Sequence, residues 1–133
     1  MELKKKKIII IDDSNPVRVQ LKEWLGNKFV EILEEDDGYA GFEKIKVVEK
    51  SLDLIIVDIN MPGLDGISML KMLKDNKLAS SIPKIILTTE IPKIFAKIVK
   101  EETENVKTWA IKPIDQTRLK TIIKKIYPDW PLN

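Results

Sequence analysis

The segment LIIVDINMPGLDG, residues 54–66, decides the fold of this chain. It opens with four consecutive apolar residues, continues with Asp58, and then breaks into a Met-Pro-Gly loop before Asp65. A short apolar run bounded by turn residues predicts a strand that is buried on both faces of a parallel sheet. Asp65 is then placed to cap a following helix. The segment therefore predicts a strand, a loop and a helix, the repeating unit of an α/β fold.

Similar strand–helix units recur along the chain. Short runs rich in Ile and Val alternate with stretches whose apolar residues repeat at helical spacing. Such pairs, joined by short loops, predict an α/β fold with a doubly wound, five-stranded parallel sheet and helices on both faces. At 133 residues we expect a single domain, residues 1–133. The predicted strands are residues 8–11, 29–33, 54–57, 85–87 and 106–111.

The composition excludes several kinds of site. The chain has no cysteine and no histidine, so disulfides, thiolate zinc sites and imidazole catalysis are excluded. Any metal must be held by oxygen, which favours Mg²⁺, Mn²⁺ or Ca²⁺. The net charge of +2 gives no reason to expect direct nucleic-acid binding. No apolar run approaches the ~20 residues of a membrane helix, and we expect a cytoplasmic protein without a membrane partner.

The basic run at residues 4–7 has two explanations. It is expected to be a solvated leader before the first strand, with a membrane or nucleic-acid tether as the alternative.

Polar residues stand where the predicted strands end. Asp12 and Asp13 follow the first strand, and Asp58 follows the third. Thr88 and Lys112 follow the fourth and the fifth. Because ligands of parallel α/β sheets bind beyond the carboxyl ends of the strands, we expect these side chains to meet in one crevice. Carboxylates, a hydroxyl and an ammonium in one crevice predict a metal and phosphoryl site, with Asp58 as the phosphorylated nucleophile.

Each of these residues also has an ordinary explanation when it is taken alone. Asp12 and Asp13 could cap the first helix, and Asp58 could be a turn residue before the Met-Pro-Gly loop. Thr88 could be a common strand residue, and Lys112 a solvated side chain. Their shared position at strand ends in one topology favours a common site over these separate explanations.

Four segments resemble the signatures of the response-regulator receiver domain. The resemblance extends from about residue 7 to about residue 126, the expected core of the domain. It implies the flavodoxin-like strand order 2-1-3-4-5 and a chain with no output domain. It also implies two-component signalling, in which the protein is a phosphoacceptor and not an enzyme, with Mg²⁺-dependent self-phosphorylation and autodephosphorylation only. The segments are IIIIDDS (8–14), LIIVDINMPGLDG (54–66), IILTTE (85–90) and WAIKP (109–113).

The resemblance also implies roles for the residues at the strand ends. Asp58 would take a phosphoryl group from a sensor histidine kinase, a phosphotransfer protein or a small phosphodonor. Asp13 directly, Asp12 often through water, Asp58, and the main-chain carbonyl of Asn60 would hold Mg²⁺ or Mn²⁺. Lys112 would bind a phosphoryl oxygen.

A switch and an output face are implied as well. Thr88 would move to contact the phosphoryl group, and Trp109 would occupy the aromatic switch position three residues before the lysine. Packing in the core remains the alternative for Trp109. Asn60 and Glu90 would flank the attacking water and tune dephosphorylation. The fourth helix, fifth strand and last helix would form the face that binds an unknown downstream protein, on a monomer or weak dimer.

The chain departs from the family pattern before the fifth strand, and two other classes deserve comparison. Residues 101–105 stand where receivers place a turn of small residues, and Asn105 is expected to replace glycine in a left-handed cap. A phosphatase of the haloacid-dehalogenase type would need a general acid where Asn60 stands. A flavodoxin-like binding module would need a phosphate-cradling loop after the first strand, where Asp12 and Asp13 would repel phosphate.

Overall fold

The fold is one parallel sheet covered on both faces by helices. The structure is a computed structural model that describes residues 4–132. The five strands are ordered β2-β1-β3-β4-β5, which confirms the predicted fold and strand order. The strands are β1 (Lys6–Ile11), β2 (Val30–Glu35), β3 (Leu54–Val57), β4 (Lys84–Thr88) and β5 (Val106–Ile111). The helices are α1 (Asn15–Leu25), α2 (Gly38–Val48), α3 (Gly66–Asp75), α4 (Lys93–Glu102) and α5 (Gln116–Ile126).

Two predicted strand boundaries were wrong by two residues, whereas the start of β2 and both ends of β4 differ by one residue. β1 begins at Lys6, so half of the basic run lies in the sheet and does not form a leader. β2 continues to Glu35, two residues beyond its predicted end, because the parallel ladder pairs Ile11 with Glu35. The apolar pattern did not predict this end of β2, because its last residues are acidic. β2 lies at the edge of the sheet, where strand residues are less buried and charged side chains are tolerated.

The two faces of the sheet form separate cores. Because successive residues of a strand point to opposite faces, Ile9 and Ile11 pack with α2, α3 and α4, whereas Ile8 and Ile10 pack with α1 and α5. All of β3 is buried, as the uninterrupted apolar run predicts. Full burial of one such side chain contributes ~1.5–3 kcal/mol. This packing fixes the strands, and therefore the polar residues that follow them.

Glycines allow α3 to begin directly beneath the loop that follows β3. A Cβ on Gly66 would lie 2.1 Å from the carbonyl oxygen of Asp58, and a Cβ on Gly38 would lie 2.3 Å from that of Leu64. Gly63 has a φ of 79°, which strongly favours glycine. The Met-Pro-Gly loop and the start of α3 thus close tightly around Asp58.

Asn105 has the left-handed conformation that was expected of it, with a φ of 58°. It does not cap α4, because the C-cap residue of that helix is Thr103, in extended conformation. Asn105 instead leads into β5, where its carbonyl accepts a hydrogen bond from the Lys84 backbone N–H at 2.9 Å.

None of the helices that the structure describes combines the length and the apolar character needed to cross a bilayer.

Lys84 is a buried lysine at the opposite edge of the sheet from the predicted crevice. Only 1% of its surface is exposed, and its Nζ donates to the carbonyls of Ala79 (2.7 Å) and Ile82 (2.9 Å). These carbonyls belong to the α3–β4 connection, where Lys77 and Ala79 are left-handed. Burial lowers the pKa of Lys84 to about 8, although the charge of Glu104 opposes the shift. The side chain therefore clamps this connection, and a neutral amine can make the same two bonds.

Replacement of Lys84 by methionine should reveal this lowered pKa. Between pH 8 and the ordinary value of 10.5, the unfolded chain binds more protons than the folded one, so the wild type gains stability as pH rises. Relative to Lys84→Met, this gain should be on the order of 2–3 kcal/mol, measured by urea unfolding at both ends of that range. The exposed control Lys50→Met should show no such difference, and parallel pH profiles of wild type and Lys84→Met would contradict the interpretation.

Candidate functional site

Three of the predicted site residues are in direct contact at the carboxyl edge of the sheet. Asp12 follows β1, Asp58 follows β3 and Lys112 follows β5. The Lys112 Nζ donates to Asp12 Oδ2 at 2.6 Å and to Asp58 Oδ2 at 2.9 Å. Parallel strand order brings together side chains that are 100 and 54 residues apart in sequence. Lys112 is mostly buried here, so the alternative of a solvated side chain does not hold.

The carboxylates of Asp12, Asp13 and Asp58 could share one cation. One carboxylate oxygen from each residue lies within 4.8 Å of the others. Asp12 and Asp58 are only 2% and 5% exposed, whereas Asp13 is exposed and can complete the shell from the solvent side. Oxygen donors of this kind suit a hard divalent cation such as Mg²⁺. The donor set therefore fits the predicted metal.

The buried part of the site carries an excess of negative charge. Burial raises the pKa of Asp12, and hydrogen bonds from Lys112 and from the Ser14 backbone N–H offset only part of this effect. Burial alone would lower the pKa of Lys112, but its hydrogen bonds to Asp12 and Asp58, and their charges, outweigh it and raise the pKa. Both shifts favour the protonated form, that of Asp12 mainly because the carboxyl is buried and that of Lys112 because two carboxylates face its ammonium. Added positive charge would relieve the imbalance.

The loop that carries the first two aspartates is held by α1. The α1 N-cap is Ser14, whose side chain accepts from the Val17 N–H, so helix capping by the aspartates is not needed to explain them. Arg18 donates from Nη1 to the Asp12 carbonyl (2.5 Å) and from Nε to Glu34 Oε1 (2.8 Å). Sequence reasoning missed Arg18, because only the contact between α1 and the end of β2 reveals its anchoring position.

Asn60 connects the loop after β3 with the end of β4. Its backbone N–H donates to Asp58 Oδ1 at 3.2 Å, and its Nδ2 lies 3.4 Å from the hydroxyls of both Thr88 and Thr89. Thr88 is fully buried and Thr89 is exposed. Strand alternation predicts that Thr89 points away from Thr88, but the chain turns after β4 and brings both hydroxyls to Asn60.

The remaining predicted residues lie at the margins of the site. Trp109 is half-buried and packs against the core on the α4 side of the sheet. It also lines a groove of about 300 Å³ between α4 and β5. Glu90 is exposed in the turn after β4. The predicted roles of Trp109 and Glu90 therefore stay predictions.

A family comparison identifies the kind of domain to which this site belongs. The family model described as the response regulator receiver domain matches residues 8–124. The chain belongs to the response regulator receiver family. Receivers are signalling domains, so the phosphatase and flavodoxin-like alternatives are not favoured.

The receiver is similar over nearly its whole length to relatives that are themselves covered almost completely. It is 29% identical over 125 residues to chemotaxis protein CheY-3 of Vibrio cholerae, with 93% of each chain covered. It is 31% identical over 120 residues to protein PilH of Pseudomonas aeruginosa, covering 87% of this chain and 93% of PilH. A chain in the crystal structure of the CheX-CheY-BeF3-Mg complex of Borrelia burgdorferi matches with a TM-score of 0.79 and 22% identity, covering 92% of this receiver and 89% of that chain. That likeness concerns the fold.

Replacement of Lys112 by methionine should expose the charge imbalance of the receiver site. It leaves two buried carboxylates without their ammonium, which should lower the free energy of unfolding by about 3 kcal/mol. Urea unfolding with and without Mg²⁺ measures the effect, and saturating Mg²⁺ should restore much of the loss. The matched control is Lys107→Met on the same strand, where an exposed lysine should contribute less than about 0.5 kcal/mol. Equal losses in the two variants would contradict this account.

Proposed function

We propose that Asp58 accepts a phosphoryl group and that the receiver signals through this modification. The observation that carries the proposal is the contact of Asp58 with Lys112, beside the carboxylates of Asp12 and Asp13. A divalent cation held by the three aspartates and the main-chain carbonyl of Asn60 would neutralise the charge on the phosphoryl oxygens. A carboxylate at the end of a rigid strand is thereby made a usable nucleophile.

The chemistry needs positioned charge more than acid–base groups. An Asp58 carboxylate oxygen attacks the phosphorus, the bond from phosphorus to the donor atom breaks, and an acyl phosphate forms. The Lys112 ammonium, which bridges Asp12 and Asp58 in the resting site, turns to a phosphoryl oxygen and stabilises its charge. Since the chain contains no histidine, the phosphohistidine of the reaction belongs to another molecule.

We further propose that Thr88 and Trp109 transmit the change. The buried Thr88 hydroxyl accepts only a long hydrogen bond from Asn60 Nδ2, at 3.4 Å. Because this contact is weak, the hydroxyl can exchange it for a hydrogen bond to a phosphoryl oxygen. The half-buried Trp109 lies against the α4 side of the core and can move when the end of β4 moves. Phosphorylation would then bias a two-state element formed by α4, β5 and α5.

The partners follow from this chemistry. The phosphodonor is a sensor histidine kinase, a phosphotransfer protein or a small phosphodonor, and a downstream protein reads the α4–β5–α5 face. In this proposal the receiver acts in the cytoplasm as a single domain. It modifies itself and catalyses no reaction on a separate substrate.

The first test is the response of Trp109 to a phosphoryl analogue. With Mg²⁺ and beryllofluoride or acetyl phosphate, tryptophan fluorescence should change in the wild type and not in Asp58→Asn, which lacks the nucleophile. Because the chain has three tryptophans, Trp109→Phe must be measured to remove the contributions of Trp24 and Trp130. A response that is independent of Mg²⁺ or retained in Asp58→Asn would overturn the proposal.

Asn60 and Glu90 should set the lifetime of the acyl phosphate. Replacement of either side chain, for example by Asn60→Lys or Glu90→Ala, should change the decay rate of the acyl phosphate several-fold, because the attacking water must pass these side chains to reach phosphorus. Phosphoryl uptake should stay intact in both variants. Phosphate release after removal of acetyl phosphate measures the decay, and Lys50→Ala serves as a distant control. Unaltered decay in both variants would count against these roles.

A further inference from the structure

The surface formed by α4, β5 and α5, here the β5-edge surface, carries cations without acidic partners. Its α4 stripe has lysines at helical spacing, and its α5 face has Arg118 and Lys125 two turns apart. Among the described residues, the ion pairs elsewhere join lysines and Arg18 to acids, but these side chains form none. The unpaired cations of this surface are Lys93, Lys97, Lys100, Lys107, Arg118 and Lys125.

Of the four acids on these elements and in the loops that join them, three are engaged in other contacts and the fourth, Glu101 on α4, is exposed. Glu102 pairs with Lys71 of α3, and Glu104 accepts from the Ser80 hydroxyl before β4. Asp115 caps α5 by accepting from the Arg118 backbone N–H at 2.8 Å. These three acids are therefore turned to their own neighbours. Six unpaired cations then stand against the single carboxylate of Glu101, so the outward-facing charge of the surface is positive.

The cations line two grooves that flank β5. The larger groove, about 940 Å³, runs between β5 and α5, and its charged lining consists of Lys107, Arg118, Lys125 and the helix-capping Asp115. The groove of about 300 Å³ between α4 and β5 is lined by Lys100, Lys107 and Trp109. Lys107 contributes to both grooves, so they form one continuous basic region on either side of the strand.

β5 also offers an open backbone edge between these grooves. Within residues 4–132 its one neighbouring strand is β4, and the Lys112 N–H donates to the Thr88 carbonyl. Because alternate residues of a strand direct their backbone groups to opposite sides, Trp109 and Ile111 direct theirs to the open edge. The side chain of Ile111 is 54% exposed and that of Ile94 on α4 is 68% exposed. Backbone donors, apolar side chains and cations thus occur together.

We propose that the β5-edge surface docks an acidic, extended segment of a partner protein. The unpaired cations supply charge complementarity for carboxylates, and the open edge supplies hydrogen bonds to an added strand. A symmetric dimer through this surface is disfavoured, because it would place the same cations against each other. Nucleic acid is disfavoured by the exposed isoleucines and by the absence, among the described residues of this surface, of a fully exposed aromatic side chain on which bases could stack.

The proposal rests on the proposed function for one point only. If phosphorylation of Asp58 moves Trp109, which lines the smaller groove, then docking affinity should depend on the phosphorylation state. The location and the acidic character of the partner segment do not depend on that point, so the two can fail separately.

The test uses a fluorescent peptide of alternating glutamate and valine and a matching lysine–valine peptide. Anisotropy is measured with the full chain at low and high salt. The test variant reverses two groove cations, Lys107→Glu with Lys125→Glu. The control variant, Lys44→Glu with Lys50→Glu, changes the net charge equally on α2 and the turn that follows it. We expect the glutamate–valine peptide to bind, and the test variant to bind it on the order of tenfold more weakly than the control.

Several outcomes would overturn the docking proposal. These are no binding of the glutamate–valine peptide, equal loss in the two variants, tighter binding of a single-stranded oligonucleotide of similar charge, or a dimer in sedimentation that the test variant abolishes. A separate arm adds Mg²⁺ and beryllofluoride to the wild type and to Asp58→Asn. Specific peptide binding that is unchanged in this arm would support the docking site and contradict only its coupling to phosphorylation.

Discussion

The burial of β3 on both faces of the sheet is the constraint on which the rest of the structure depends. Its side chains belong to the core shared with α1 and α5 on one face and to the core shared with α2, α3 and α4 on the other, so a shift in register would disrupt both cores. Asp58, the next residue, can reach solvent only at the carboxyl edge. The glycine at position 66 then closes α3 against its carbonyl. The apolar core thus fixes the position of the most polar site in the chain.

Electrostatics gives this rigid position its chemical character. Two nearly buried carboxylates face one ammonium. Burial raises the pKa of Asp12, and the two carboxylates raise the pKa of Lys112 against the effect of its own burial. Arg18 on α1 donates to the Asp12 carbonyl and so anchors the backbone that carries one of these carboxylates. The site is consequently prepared for positive charge before any arrives, which is what preorganised electrostatic catalysis requires.

The sequence predicts most of this architecture because its signals are local. The apolar runs, the glycines and the residues at the strand ends can each be recognised from a few neighbouring residues. The parallel topology then predicts that the residues at the strand ends lie together. Burial of Lys84 could not be predicted in this way. A lysine at the start of a strand is typical of the surface, and only the left-handed residues Lys77 and Ala79 fold the connection over its ammonium. Arg18 was missed for a related reason, since its contacts join different elements. Thr89 was expected to point away from Thr88, because strand alternation does not reveal the turn after β4.

The uncompensated carboxylate has a consequence for selection on this fold. While no cation is bound, the excess of negative charge lowers the free energy of unfolding. Neutral replacements of Asp12 or Asp58 remove this destabilisation, and with it a carboxylate of the proposed site. A screen for heat resistance alone would therefore enrich proteins that fold well but lack the carboxylates on which the proposed function depends. A charge arrangement that lowers the stability of the fold is therefore itself an indication that the crevice has a function.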